Sequence, residues 1–206
     1  MQRFSTTAHF PLSRRGIIPS VGAFAGTVTA GLLFVVVSTP VLNAQPPKPT
    51  EYDVKAAYLI DFGRFVRSSG QPKPRSSFDI CVLGRDSFGQ SLDVLASNET
   101  VSGLPIHLRH PDVTDSKSCS IVFISAAEQA NIREDLALLG NADVLTVSDA
   151  ADFLQRGGMI QFVVADNHVR FAVNLDAVNR AHLILSSELL RVAFYLTGKP
   201  PSGGLP

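Results

Sequence analysis

The chain has 206 residues, enough for one domain or at most two, and 45% of them are hydrophobic, as expected for a globular protein with its own core. Lysine and arginine together number 18, and aspartate and glutamate also number 18, so the formal net charge is zero. The sequence has no basic tract and no tryptophan, and it therefore lacks the electrostatic footprint of a nucleic-acid-binding protein.

The first 44 residues have the pattern of an export signal. A leader without acidic residues carries three arginines: Arg3, Arg14 and Arg15. An apolar run over 17–37 follows, and Ala44 offers a small residue for cleavage before a linker at 45–50. We expect a secretory signal peptide over 1–44 and a periplasmic mature protein. An uncleaved membrane anchor is the alternative, although proline and glycine interrupt the apolar run.

The leader also bears on the export route and on the charge of the mature chain. The stretch SRRGII resembles a twin-arginine signal, while a misassigned start codon explains the long leader equally well, so Sec and twin-arginine export both stay open. Removing the three arginines leaves 18 − 3 = 15 basic residues against 18 acidic ones. The mature chain then has a net charge of about −3.

Helical and strand patterns alternate through the middle of the chain. Apolar side chains recur at helical spacing from Tyr52 to Arg67, and Glu51 and Lys55 stand four residues apart, as in a helix ion pair. The next elements are predicted in this order: strand FDICVL, a helix capped by Asp86-Ser87 and ending near Ala96, strand PIHLRH, strand SIVFIS, helix Ala127–Leu139, strand VLTV and short helix Asp149–Gln155.

The stretch GGMIQFVVADNHVRFAVN, residues 157–174, is predicted to form an antiparallel hairpin with a turn at Asp166-Asn167. Counting outward from that turn gives one fully apolar face, with Val164 opposite Val169, Phe162 opposite Phe171 and Ile160 opposite Val173. The other face pairs Val163 with Arg170 and Gln161 with Ala172. Gly157 and Gly158 then serve to let the chain leave the preceding helix.

Two helices should follow the hairpin. Asn174 can cap the first helix and Ser186 the second, because their side chains accept hydrogen bonds from free N–H groups. The apolar residues of the second helix are expected to pack inward: Leu189, Leu190, Val192, Ala193 and Leu196. Residues 198–206 have a composition typical of a disordered tail.

Strands that alternate with helices indicate an α/β fold. We expect a single compact domain over 51–197, in which a mixed sheet combines parallel strands with the C-terminal antiparallel hairpin and the helices pack on the sheet.

The two cysteines lie at two of the predicted strands. In an oxidising compartment, Cys81 and Cys119 are expected to form a disulfide. If the two strands are neighbours, the bond closes a loop of nearly forty residues and stabilises the fold by roughly 3–4 kcal/mol. Two separate buried thiols are the alternative.

One turn has the location of an anion site. Residues 84–89, GRDSFG, follow a strand and open a helix, where α/β proteins bind anions on free backbone N–H groups. The turn lacks the G-x-G-x-x-G pattern and the P-loop lysine, so a plain capped turn is the competing interpretation. If a ligand binds here, Arg85 and Ser87 are the candidate contacts.

The chain offers no evident catalytic or metal-binding set. On a strand, His107 and His110 would point to opposite faces, and Asp149 and Asp152 fit the first turn of a helix. The motifs G-x-S-x-G, H-E-x-x-H and S-x-x-K are absent. We therefore expect a protein that is not an enzyme and that uses no cofactor or metal.

The outer face of the hairpin is a second candidate contact surface. Arg170, flanked there by Gln161 and Val163, is placed to contact a partner or a ligand. The alternative is a cross-strand arginine that is solvated or paired within the protein.

Four segments together resemble the YfiR-like family of periplasmic proteins. They are YDVKAAYLIDFGRFV, FDICVLGRDSFG, CSIVFIS and GGMIQFVVADNHVRFAVNLDAVNRAHLILSSELLRVA. The resemblance runs from about Tyr52 to Ala193, and the last segment is its most specific part.

The resemblance implies an exported α/β protein that forms homodimers. The best-understood members bind the periplasmic sensor domain of an inner-membrane diguanylate cyclase and repress it, which lowers cyclic-di-GMP and restrains biofilm formation. Release of the repressor by redox or envelope stress activates the cyclase. The resemblance thus implies a partner at the membrane and no chemistry of the protein's own.

This chain departs from the family pattern in two places. Residues 66–69, VRSS, stand where members commonly have Trp-Pro, and only one cysteine pair is present where better-known members have two. Cys81 and Cys119 match the strand positions of one of those pairs, so control by a second disulfide is in doubt. A small-ligand sensor without a cyclase partner, with its pocket at residues 84–89, is the alternative function.

Overall fold

The computed structural model describes residues 48–70 and 74–199. The predicted signal peptide, its cleavage at Ala44, the first linker residues and most of the predicted tail lie outside this part of the chain. Among the helices that the structure does describe, none has both the length and the apolar character needed to cross a membrane.

Helices and strands alternate along the described residues. The five helices are α1 (Glu51–Phe65), α2 (Gln90–Asn98), α3 (Ile132–Leu139), α4 (Leu175–Arg180) and α5 (Ser187–Val192). The ten strands are β1 (Val66–Ser68), β2 (Phe78–Leu83), β3 (Thr100–Val101), β4 (Leu104–Arg109), β5 (Ile121–Ile124), β6 (Leu145–Ser148), β7 (Ile160–Ala165), β8 (His168–Asn174), β9 (Leu183–Leu185) and β10 (Tyr195–Thr197).

Eight strands form the main sheet, in the order β10-β8-β7-β6-β5-β2-β4-β3. The strands β4, β2, β5, β6 and β7 run parallel to their neighbours in this series, whereas β7 and β8 form the antiparallel hairpin. By chain order the parallel strands follow the 2-1-3-4-5 order of doubly wound sheets, so the strand order, though not the strand direction, switches between β2 and β5. The mixed α/β sheet confirms the predicted fold class.

Both faces of the sheet are covered at its centre, so β5 and β6 are buried from two sides. On one face, Phe62 of α1 packs on the hairpin, with its ring centre 5.8 Å from that of Phe162 and 5.1 Å from that of Phe171. The opposite face packs against α3 and the turns that follow β6, through Ile132 and Phe153. The domain is a three-layer sandwich with two separate apolar cores.

Helix α1 begins where Thr50 caps it. The Thr50 hydroxyl accepts a hydrogen bond from the Asp53 N–H, and the Asp53 carboxylate accepts one from the Thr50 N–H, which completes a capping box. The predicted end at Arg67 was wrong, because the helix ends at Phe65 and residues 66–68 form β1, which pairs with β9. The backbone groups of these residues are used by strand pairing instead of the helix.

The predicted hairpin register is confirmed at every pair. Val164 lies opposite Val169, Phe162 opposite Phe171 and Ile160 opposite Val173. Asp166 and Asn167 have φ values of 51° and 59°, as the two-residue turn requires. The apolar face is buried only at its base, since 58% of Val164 near the tip is exposed.

Cys81 and Cys119 form the expected disulfide. Their Cα atoms are 6.1 Å apart and 38 positions separate them in sequence. Cys81 lies in β2 and Cys119 lies just before β5, its parallel neighbour in the sheet, so the bond ties together the two strands at which the strand order switches. Both cysteines are buried.

Three predicted helices differ from the observed ones. Helix α2 begins at Gln90 after Gly89, not at the predicted Asp86-Ser87 cap, because the Asp86 carboxylate accepts a hydrogen bond from the Phe88 N–H within the turn. A 3₁₀ turn and α3 replace one continuous helix over 127–139. Residues 149–155 form turns and no helix, since Asp152 has a φ of 58°.

Gly157 and Gly158 lie at the end of a series of turns, where the sequence had predicted the end of a helix. Gly157 has a φ of 104°, which favours glycine. A Cβ on Gly158 would lie 2.1 Å from the Phe153 ring, so glycine is needed there for close packing.

The predicted caps at the C-terminal end are confirmed, but part of the predicted packing is not. The Asn174 and Ser186 side chains accept hydrogen bonds from the N–H groups of Ala177 and Leu189. Val192 and Leu196 do not pack inward: they are 65% and 44% exposed, because the chain turns from α5 into the extended strand β10.

The first two residues of the predicted tail, Gly198 and Lys199, are ordered by contacts with α4. The Lys199 N–H donates to the Asp176 carboxylate at 3.0 Å, and the Asn179 amide donates to the Lys199 carbonyl at 3.2 Å.

Candidate functional site

Two of the predicted contact residues lie on the outer face of the hairpin but have different roles. Arg170 is exposed, and its guanidinium carbon lies 5.8 Å from the centre of the Phe194 ring, in a cation–π position. Gln161 accepts a hydrogen bond from the Leu154 N–H at 3.4 Å and thereby holds the turns that precede β7. Arg170 is therefore available for contact, whereas Gln161 has a structural role.

Beside Arg170 lies an apolar surface that the sequence did not reveal. We name it the C-terminal patch and define it by four exposed side chains: Val192, Phe194, Tyr195 and Leu196. Their exposed fractions run from 37% to 65%, and the Phe194 and Tyr195 rings contact each other at a centre-to-centre distance of 5.9 Å. Exposed apolar side chains that contact each other, as these two rings do, mark candidate sites of protein–protein contact.

The C-terminal patch lies on the last strand of the sheet. β10 pairs with β8 on one side only, and within residues 48–70 and 74–199 no strand covers its outer edge. The Phe194 N–H donates to the Phe171 carbonyl at 2.8 Å, which fixes the patch to the hairpin. An open edge with apolar side chains can accept a strand or an apolar surface from a partner.

Away from the C-terminal patch, a buried ion pair lies just beyond the carboxyl ends of the parallel strands β5 and β6. The Lys55 ammonium of α1 is 2.8 Å from the Asp149 carboxylate, and the side chains are only 4% and 7% exposed. Asp149 also accepts hydrogen bonds from the Tyr52 hydroxyl at 2.9 Å and from the Ala126 N–H at 3.0 Å. These contacts join α1 to the loops that follow β5 and β6.

The electrostatics of this cluster favour a charged Lys55. Burial opposes the charge, but hydrogen bonds to Asp149 and Glu51 outweigh it and hold the pKa of Lys55 above its usual value. The second of these contacts is the predicted helix ion pair, with Glu51 at 2.6 Å from the ammonium. Burial also raises the pKa of Tyr52, with a hydrogen bond from Ser87 working against it. Asp149 is therefore a structural carboxylate, whose oxygens accept hydrogen bonds from Tyr52, Lys55 and the Ala126 N–H.

The turn over residues 84–89 is anchored in the core by Phe88, while its other residues are exposed or half-buried. Phe88 is buried, with its ring centre 4.7 Å from that of Phe123, and the Phe88 N–H is already bonded to Asp86. Asp86 is also 3.1 Å from a His110 ring nitrogen. Arg85 is exposed and Ser87 is half-buried, and the Asp86 carboxylate between them would repel an anion.

The described residues contain no cluster of three or more histidine, cysteine, aspartate or glutamate side chains that could hold a metal ion. His107 is exposed on β4, and His110 follows that strand with its ring directed to Asp86.

The sequence comparison decides the family. Residues 52–194 match the family described as YfiR/HmsC-like. The chain belongs to this family. The YfiR/HmsC-like family is regulatory rather than catalytic, and its members are periplasmic. No protein with a curated function matches the chain.

Two solved structures resemble this YfiR/HmsC-like chain. A conserved domain protein from Vibrio cholerae O1 biovar El Tor N16961 has a TM-score of 0.52 at 9% identity, over 71% of this chain and 60% of that one. The chain thus spans three fifths of that protein, and the likeness concerns the fold alone. An ABC domain from Streptococcus pneumoniae, solved in complex with L-Trp, has a TM-score of 0.44 at 10% identity, over 58% of this chain and 55% of that one.

Sequence reasoning missed the C-terminal patch and the Lys55–Asp149 pair. The patch was hidden because Val192 and Leu196 fall at helical spacing with Leu189, so they resembled core positions. The ion pair was hidden because its two residues are 94 positions apart. A lysine in the middle of an apolar helix face was the one available signal, since such a residue needs a buried partner.

Proposed function

We propose that this chain is a periplasmic regulator that binds the periplasmic sensor domain of an inner-membrane diguanylate cyclase and represses the enzyme, lowering cyclic-di-GMP and biofilm formation. The observation that carries the proposal is the family match, which covers residues 52–194 and so nearly the whole predicted mature chain.

The C-terminal patch supports a protein partner. It combines an open strand edge with two contacting aromatic rings and an exposed arginine. Tyrosine and arginine are among the residue types that contribute most binding energy at protein interfaces. In this proposal the sensor domain covers Phe194 and Leu196, and Arg170 contributes at the rim. A homodimer, as the family resemblance implies, would use a further surface.

The test is to recover the partner from solubilised membranes of the natural host with tagged protein, and to identify it by mass spectrometry. We expect a transmembrane diguanylate cyclase. A Phe194→Ala/Leu196→Ala variant should recover at least tenfold less of it, since truncating central apolar side chains at an interface costs on the order of 2 kcal/mol or more. Val94→Ala is the matched control, because Val94 is 57% exposed on α2.

Two results would contradict the proposal. One is recovery of no membrane protein, or only of transporters unrelated to cyclic-di-GMP. The other is a deletion strain whose cyclic-di-GMP level stays at that of the parent under every envelope stress tested. Equal recovery by the patch variant and the wild type would keep the function but move the contact surface elsewhere.

A further inference from the structure

A cavity near the sheet has the composition of an anion site, and it lies away from the turn over residues 84–89. Its volume is about 330 Å³, within the range of small-molecule sites. It lies between α3, the loop that follows α3, the turn before β7, and α4. The lining side chain from the sheet is Thr146, near the amino end of β6.

Three arginines from three separate segments line this cavity. Arg133 comes from α3, Arg156 from the turn before β7 and Arg180 from the end of α4. No aspartate or glutamate is among the described residues that line it, and none of the three arginines makes an ion pair within the described part of the chain. The cations would repel each other unless an anion lay between them.

This concentration of positive charge runs against the charge of the whole protein. The predicted mature chain carries about −3, with 15 basic residues against 18 acidic ones. Three arginines and no carboxylate in the described lining therefore make this cavity a local excess of positive charge, which an anion would compensate.

The remaining polar groups suit an oxyanion. Arg156 is half-buried and is positioned by a hydrogen bond from Nη1 to the Gln129 carbonyl at 2.5 Å, which leaves its other N–H groups free to donate. The buried Thr146 hydroxyl accepts from the Met159 N–H at 3.2 Å and donates to no acceptor among the described residues. Gly157, at the border of the cavity, leaves open space where a Cβ would lie.

We propose that this cavity binds a small organic anion with at least two negative charges on phosphate or carboxylate oxygens. Guanidinium groups bind both classes through paired N–H donors, and three of them select for multiple charge. The inference does not depend on the cyclase partner, because the site shares no residue with the C-terminal patch.

The test uses protein purified after export and three probes: inorganic phosphate, pyrophosphate and citrate. Binding is measured by titration calorimetry and by thermal unfolding at matched ionic strength, with sodium chloride as the reference. We expect pyrophosphate or citrate to bind more tightly than inorganic phosphate and to raise the melting temperature, since a ligand that binds only the folded state stabilises it. Pyrophosphate against citrate separates a phosphorylated ligand from a polycarboxylic one.

The arginine variants locate the site. Arg133→Gln/Arg180→Gln should weaken binding of the best probe at least tenfold; both residues are exposed, so folding should be retained. Single Arg133→Gln and Arg180→Gln variants give a second reading if the double variant is unstable. Arg191→Gln, an exposed arginine of α5 outside the lining of this cavity, is the matched control and should bind as the wild type does.

The proposal is overturned if no probe changes the melting temperature more than sodium chloride does. It is also overturned if the arginine variants bind as tightly as the wild type, or if Arg191→Gln weakens binding as much as they do. Because these measurements use the purified protein, their failure leaves the cyclase proposal standing, and failure of the membrane recovery leaves the anion site standing.

Discussion

The two ends of the parallel strands handle charge in opposite ways. At the carboxyl ends, where doubly wound sheets commonly bind ligands, Lys55 is buried against Asp149 and the cluster is complete without any guest. Near the amino end of β6, three arginines line a cavity whose described walls include no carboxylate. The Lys55–Asp149 pair thus fills the position where doubly wound sheets commonly bind ligands. Near the amino end of β6, the arginines have no ion-pair partner among the described residues.

The difference separates stability from binding. A buried pair that is fully satisfied holds α1 on the sheet, and removing one partner leaves a charge without compensation. Arginines that line an open cavity contribute little to stability and are available to a ligand. Substitutions at the two ends should therefore affect different measurements.

The largest effect is expected at the carboxyl end. Lys55→Met should destabilise the protein by about 3–5 kcal/mol, because it leaves the Asp149 carboxylate buried without its cation. Denaturant unfolding of the wild type and the variant measures this difference.

A double variant is the control for that prediction. Lys55→Met/Asp149→Leu should be less destabilised than Lys55→Met alone, because replacing both ions removes the uncompensated charge. If Lys55→Met costs under 1 kcal/mol, the carboxyl end is not held closed by this pair, and the contrast between the two ends fails.

The next effect concerns the disulfide that joins Cys81 of β2 to Cys119, two residues before β5. A 38-residue separation gives roughly 4 kcal/mol in the chain-entropy model, and engineered bonds often deliver less. Reducing agent should therefore lower the melting temperature by several degrees. Cys81→Ala/Cys119→Ala should unfold as the reduced wild type does and should not respond to reductant; an unchanged melting curve of the reduced wild type would mean that the bond adds no stability.

Local patterns allowed much of the fold to be predicted. The hairpin register followed from counting outward from Asp166-Asn167, because turn residues and alternating apolar positions lie within 18 consecutive residues. The caps at Asn174 and Ser186 were predictable for the same reason, since each bonds to an N–H group three positions ahead. Alternation of strand and helix patterns was enough for the α/β class.

Features that depend on distant residues were not predictable in this way. Arg133, Arg156 and Arg180 line one cavity only because α3, a turn and α4 meet near β6. The end of α1 at Phe65 depends on the pairing of residues 66–68 with β9, more than a hundred residues later. Residues 149–155 had a helical composition, but the fold places Asp149 against Lys55 and gives Asp152 a positive φ.

The smallest effect distinguishes the two ends by pH. The pKa of Lys55 and that of Tyr52 are both raised in the folded protein, so the stability that they contribute is complete below about pH 10 and is lost as the pH rises through their folded-state values. Arginine stays protonated throughout this range, so binding of the anion probe should persist at pH values where stability begins to fall. Denaturant unfolding and probe titration between pH 8 and about pH 11 measure both effects. The Lys55→Met/Asp149→Leu variant should lose the Lys55 part of the alkaline fall. A probe affinity that falls in parallel with stability would mean that the two ends do not behave independently.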